Sequence, residues 1–295
     1  MLLQCSVPII KYLNAIESRT VYGITKFSHM SRSEFAKRML FAHLSQDPIR
    51  KAISVLCSES DWLIIEWKWS DFHGDIPRQF DWRQKNVVGP VLDQKRCNAC
   101  WAFTVVGIME TMLAINRTEH HFEKLSIQEL LDCSPYTSKC EGGNIYSALD
   151  YLCLKHQAIV PDSQYPLTLH EETCLILDPP ELEFSGDIFM DYAFFSHEIP
   201  QLIATHGPVM AVLNARFWQF YTGGVIYRLC IRDDDDPLKH VVQIVGYDMT
   251  AEIPYYIAKN SWGTDFGEGG YIKLAMNVDI CGITREIAYL DVYTK

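Results

Sequence analysis

The chain has 295 residues, 48% of them hydrophobic, which suffices for the core of one large or two medium domains and excludes a disordered or fibrous protein. A formal net charge of -11 argues against a nucleic-acid partner, since binding phosphates needs clustered Lys and Arg. No stretch reaches the roughly 18 consecutive apolar residues of a membrane span. The charge is unevenly spread: residues 1–75 hold nine Lys/Arg and eight Asp/Glu, leaving 17 and 29 for residues 76–295. Eight of the ten cysteines also fall in that acidic body, more than a typical cytosolic chain uses, which points to an oxidising assembly route.

Taken in order, residues 1–75 read as a leader. Pro8 to Ser18 has weak helical periodicity. Ser31 to His43 predicts a better helix: Ser31 or Ser33 can cap it, Phe35, Met39 and Leu40 share a face, and Asp47-Pro48 stops it. Asp61 to Trp69 mixes aromatic and branched residues and suits an extended segment in a groove or an edge strand. Residues 76–187 should be mainly helical. Trp101 to Ile115 is apolar at nearly every position and long enough for a buried helix. Ser126-Ile-Gln-Glu129 is a capping-box pattern opening a helix that ends near Cys133, and Asn144 to His156 predicts another. Asn116-Arg-Thr118 is an N-glycosylation pattern that matters in the secretory route.

From residue 188 to 295 the pattern becomes β-rich. After a short helix over His197 to Thr205, strands are predicted at Val209–Leu213, Gly224–Leu229, His240–Tyr247, Tyr255–Lys259, Tyr271–Ala275 and Arg285–Val292, separated by Gly, Pro or Asp turns. Asp233 to Asp236 reads as a solvated acidic loop.

The residues with chemical potential start at Cys100, which opens the long apolar helix. Unpaired N–H groups and the positive end of the helix dipole favour thiolate there. The same amides can hold a developing oxyanion, and Gln94 can supply a second donor. Cys97 and Cys100 are equally a redox couple or half a zinc site, and a buried lone Cys is ordinarily structural, so this stretch alone leaves the choice open. A thiol nucleophile needs a base, and the base needs an orienting group. His240 opens one predicted strand and Asn260 ends another, so neighbouring strands can bring imidazole and carboxamide together. Most of the ten histidines should be solvated surface residues.

Cys-Asn-Ala-Cys-Trp-Ala-Phe103, Cys-Glu-Gly-Gly143, Lys-His240 and Lys-Asn-Ser-Trp-Gly263 occur in the order and approximate spacing of the papain-like cysteine peptidases, which the chain therefore resembles. The resemblance implies an α+β, two-lobed papain-like fold. A helical lobe (76–187) would carry Cys100, a β-barrel-like lobe (188–295) would carry His240 and Asn260, and the active site would lie in the cleft between. It implies Cys100 as nucleophile, His240 as base, Asn260 as its orienter, Gln94 in the oxyanion hole and Trp262 as a shield. It also implies disulfides Cys97–Cys140, Cys133–Cys174 and Cys230–Cys281, leaving Cys153 as a small core residue. Gly142 and Gly143 would let a substrate backbone approach, while Ile145, Val212, Leu238 and Val241 would line the pocket for the residue two before the cut.

The implied partners are protein and peptide substrates, cystatin-like inhibitors and the chain's own leader, on a monomer without metal or cofactor in a lysosome or outside the cell. Three departures stand out. Met1 to Ile10 lacks a basic n-region and a small-residue cleavage site, so the start reads as truncated relative to a secretory precursor. In the leader, Thr25 and His29 replace the Asn and acid of the family's Gly-x-Asn-x-Phe-x-Asp pattern, and most of the long first helix is missing, which puts self-inhibition in question. Asn98 stands where the signature has Gly, on the cleft wall, and can crowd the substrate or require positive φ. These departures motivate a second reading, a catalytically idle binding or inhibitor protein; a Cys-rich zinc domain lacks a second ligand pair with metal spacing.

Overall fold

A computed structural model describes residues 2–42, 75–117, 122–135, 137–155, 159–175, 182–190, 198–230, 238–276 and 278–294. The leader contributes α1 (Leu2–Ile16), β1 (Thr20–Tyr22), α2 (Arg32–Met39) and β2 (Phe41–Ala42). After β3 (Gln79–Asp81) come α3 (Cys100–Asn116), α4 (Ile127–Cys133) and α5 (Ile145–Lys155). The rest comprises β4 (Leu182–Met190), α6 (Glu198–Thr205), β5 (Val209–Leu213), β6 (Tyr221–Ile226), β7 (Leu238–Asp248), β8 (Tyr255–Lys259), β9 (Tyr271–Ala275) and β10 (Glu286–Thr294). The predicted groove segment 61–69 and the acidic run 233–236 lie outside the described residues.

The strands follow the order β1-β6-β9-β8-β7-β5-β10-β4, with β2 and β3 also on β7, and the described strands form an open ladder rather than a closed barrel. All pairs are antiparallel except β6 with β9. The middle of this ladder is buried on both faces, which explains why Val209–Leu213 is apolar throughout instead of alternating. Val209, Ala211 and Leu213 face one core with Val242, Ile244, Ile287 and Tyr289. Met210 and Val212 face the other, with Val241, Ala288, Leu290, Val292 and the buried sides of α3, α4 and α5. The sheet is thus a shared wall between the helical half and the rest. Correspondingly, β3 pairs with β7 although it belongs to the predicted helical half, and β4 straddles the predicted boundary at 187.

Local chemistry sets the element ends. Ser31 caps α2 by accepting from the Glu34 N–H at 3.1 Å, and the helix buries Phe35 and Met39 as its periodicity requires. It stops at Met39 instead of continuing to His43, because Phe41 and Ala42 become a strand paired with Lys239 and Leu238. Ser126 caps α4 through the Glu129 N–H, but the box is only half built. The Glu129 carboxylate accepts from Val160 N–H and Tyr151 O–H, while the Ser126 N–H goes to the Val160 carbonyl. Gly246 is required where β3 crosses β7: a Cβ there would lie 2.4 Å from the Phe80 carbonyl oxygen.

The leader docks despite its altered motif. Thr25 donates its hydroxyl to the Gln219 carbonyl at 2.6 Å, and Gln219 donates to the carbonyls of Phe27 and Met30. Phe27 and Phe35 each pack 5.4 Å from Trp262, and Lys26 pairs with Asp93 and Asp265. Glu17 is fully buried, its carboxylate accepting from the N–H groups of Tyr227 (2.8 Å) and Arg228 (2.6 Å) and from the Tyr22 hydroxyl. Charge-assisted bonds of this kind contribute about 1.5–3 kcal/mol each. Glu17→Ala should therefore speed amide exchange of residues 20–40 at least about tenfold while leaving α3 unchanged, as read by hydrogen-exchange mass spectrometry.

Candidate active site

The site assembles where α3 begins against β7. Cys100 is the first residue of α3, and the residue before it, Ala99, offers no side-chain cap. Cys100 is fully buried and is the free cysteine among the described residues. Cys97–Cys140, Cys133–Cys174 and Cys230–Cys281 are bridged as expected, and the first fastens the Cys100 loop to the Gly142–Gly143 loop. Cys153 has no described side chain. The Val241 amide faces the Cys100 sulfur, and one turn along α3 the Thr104 hydroxyl donates to the Val241 carbonyl at 3.2 Å.

His240 precedes Val241 and is also fully buried. The β7–β8 register sets Gln243 opposite Lys259, which delivers the next residue, Asn260, beside the His240 ring. Asn260 Oδ1 accepts from the Ser261 N–H at 2.9 Å, which identifies it as the oxygen, and lies 2.7 Å from His240 Nε2. A neutral imidazole so held carries its proton on Nε2 and keeps a lone pair on Nδ1, which has no partner here. The Trp262 ring lies 4.7 Å from the imidazole and the Trp218 ring 6.0 Å, so two buried indoles keep water from the His240–Asn260 bond.

Gln94 is buried and doubly anchored: Oε1 accepts from the Ser261 hydroxyl at 2.6 Å and Nε2 donates to the Cys97 carbonyl at 3.0 Å. One Nε2 hydrogen remains for another acceptor. Ser261, missed in the sequence although it lies inside the Lys-Asn-Ser-Trp-Gly segment, thus ties the Gln94 loop to the end of β8. Glu110 was missed too, although a lone acid in an apolar helix is a signal. It lies buried beside Lys259 and Gln243 around a cavity of ≈ 30 Å³, accepting from the Leu125 N–H at 2.9 Å. Burial pushes the Glu110 carboxyl up and the Lys259 amine down, each opposed by the other's charge.

Of the predicted pocket residues, Ile145, Val212 and Val241 share one buried cluster, and the leader's Phe41 belongs to it. Leu238 starts β7 and pairs with Ala42. Gly142 has φ +131° and touches Phe41, and Gly143 lies so close to Trp101 that a Cβ would come within 2.5 Å of the indole. Asn98 is not among the positive-φ residues, so it occupies the glycine position without backbone strain. Asn116 is exposed, and its Nδ2 donates to the Val292 carbonyl at 2.7 Å.

In this precursor, burial acts against the thiolate expected at the helix start. Burial pushes the Cys100 thiol up to about 12, outweighing the helix-start amides, and pushes His240 down to about 4 against the opposing Asn260 bond. Both shifts favour the neutral forms.

The profile of the papain family of cysteine proteases matches residues 76–290. The chain belongs to that family. It is 33% identical to human cathepsin O over 288 residues, covering 96% of this chain and 84% of that protein. Cysteine proteinase B of Leishmania mexicana is 32% identical, over 88% of this chain and 56% of the relative. The ragweed pollen cysteine protease Amb a 11 in its proform superposes with a TM-score of 0.79 at 26% identity, covering 98% of this chain and 85% of that one. The procathepsin L2 of Tenebrio molitor, at 22% identity, shares the fold, with a TM-score of 0.78 and coverage of 98% and 91%. This papain-family chain is a cysteine endopeptidase precursor whose leader is docked on the protease body.

The closed form rejects a proton that an exposed His240 would bind below pH 6.5, and it holds a thiol proton that an exposed Cys100 would lose above pH 9. Its stability therefore falls as pH drops from 6.5 toward 4, by on the order of 3 kcal/mol from His240, and again above pH 9. Thermal melting of the full chain should show a loss between pH 7 and 5 that is smaller in His240→Phe.

Proposed function

We propose that this cysteine endopeptidase precursor, once its leader is displaced, hydrolyses peptide bonds through Cys100, His240 and Asn260. The observation that carries the reading is the 2.7 Å bond from His240 Nε2 to Asn260 Oδ1, which leaves Nδ1 unpartnered beside the residue whose amide faces the Cys100 sulfur. Departure of the leader readmits water to both groups, removing the desolvation that keeps them neutral. The proton then passes from sulfur to His240 Nδ1, giving a thiolate at the α3 start and an imidazolium held by Asn260.

The sulfur attacks the scissile carbonyl carbon, and the carbonyl electrons move to oxygen, where the Cys100 amide and the remaining Gln94 Nε2 hydrogen receive them. The tetrahedral adduct collapses with cleavage of the C–N bond as His240 gives its proton to the departing amine. Water, deprotonated by His240, then hydrolyses the thioester and regenerates the thiol. Phe41, clustered with Ile145, Val212 and Val241, stands in for an apolar substrate side chain two residues before the cut. The three disulfides favour a lysosomal or extracellular site of action, on a monomer open to protein substrates and cystatin-like inhibitors.

Cys100→Ser in the leader-free enzyme should lower kcat on a peptide substrate at least about a thousandfold, and Asn260→Ala should lower it less while altering its pH profile. Retention of wild-type kcat by Cys100→Ser would refute the assignment.

A further inference from the structure

Asn98 lies two residues before Cys100 and beneath the path of the leader. Leaving α2 after Met39, the leader becomes extended at Leu40 (φ -121°, ψ 153°), lays Phe41 on Gly142 and pairs Ala42 with Leu238. It therefore crosses from the helical wall of the cleft to the β7 wall. At the start of this crossing, Asn98 Nδ2 donates to the Lys37 carbonyl at 3.1 Å. The Asn98 backbone is pinned by its N–H to the Cys140 carbonyl at 2.8 Å, so the carboxamide cannot retreat far. Its Oδ1 is buried with no partner, and Asn98 borders a cavity of ≈ 410 Å³ between α2 and the Cys140–Glu141 loop.

A buried amide oxygen without a donor is an unfavourable arrangement that a second state of the cleft can relieve. An extended chain presents a carbonyl and, nearby, an N–H, the complement of a carboxamide's two ends. We propose that Asn98 reads main chain rather than side chain: it holds the leader through the Lys37 carbonyl in the precursor, and after leader departure it binds a backbone amide of an extended protein substrate, Nδ2 to the carbonyl and Oδ1 to the N–H. This rests on the cleft being the catalytic site proposed above. A glycine at this position has no side chain with which to do either.

The test uses the full-length precursor with Asn98→Leu, which keeps the branched heavy-atom shape but lacks hydrogen-bonding atoms, and Asn98→Ala. Alkylation of Cys100 by iodoacetamide at pH 7, followed by mass spectrometry, reports opening of the leader, because Cys100 is fully buried in the closed form. Both variants should label about fivefold faster than wild type, the worth of one hydrogen bond. After leader cleavage, their KM on an unstructured protein substrate should rise about fivefold, with a smaller change in kcat. Wild-type labelling rate and wild-type KM in Asn98→Leu would overturn the proposal. A leader-free wild type that hydrolyses nothing would overturn the catalytic reading and the substrate half of this one, while the precursor's labelling rate still decides the leader half.

Discussion

The contact between the first turn of α3 and the middle of β7 sets the rest of the molecule. Cys100 reaches the Val241 amide there, Thr104 reaches the Val241 carbonyl, and His240 is the adjacent residue. The sheet is buried on both faces here: β5 holds His240 through its pairing with Leu213, and β8, paired with β7 from Gln243 onward, carries Asn260 at its end. Close packing then transmits any shift of the helix to His240 and Asn260. The buried Glu110–Lys259 neighbours and the Gln94–Ser261 bond fasten the same two walls on either side of the site.

At Cys100 and His240, desolvation by burial outweighs both the helix-start amides and the Asn260 hydrogen bond. The leader is held by contacts that its altered motif does not advertise: the Glu17 carboxylate on the 227–228 amides, Lys26 between two aspartates, and Thr25 on the Gln219 carbonyl.

Much of this was legible in the sequence. Strands Val209–Leu213, Tyr255–Lys259 and Tyr271–Ala275 coincide residue for residue with prediction, because uninterrupted apolar and aromatic runs ended by turn residues admit few alternatives. The motifs that carry the family resemblance lie where the site assembles, and the three inferred disulfides are present. What escaped depends on tertiary partners. α2 ends early because β7 captures Phe41 and Ala42. The Leu182–Met190 strand contains Ser185, Gly186 and Asp187, which weaken its local signal, yet it pairs with β10 along its whole length. Glu129 abandons its capping partner for Val160 and Tyr151, which no four-residue pattern reveals. The burial that opposes ionisation of Cys100 is likewise contributed by distant segments and cannot be read from the helix start.

The proposed silencing of Cys100 by burial and its activation by His240 are tested most directly by the pH dependence of Cys100 alkylation in precursor and leader-free enzyme side by side. The account predicts negligible labelling of the precursor at pH 6 to 8, rapid labelling of the leader-free enzyme well below the ordinary thiol range, and loss of that low-pH reactivity in leader-free His240→Ala. If leader-free wild type and His240→Ala both followed the titration of an ordinary thiol near pH 8.5, Cys100 would be a structural cysteine and the proposed site would be wrong.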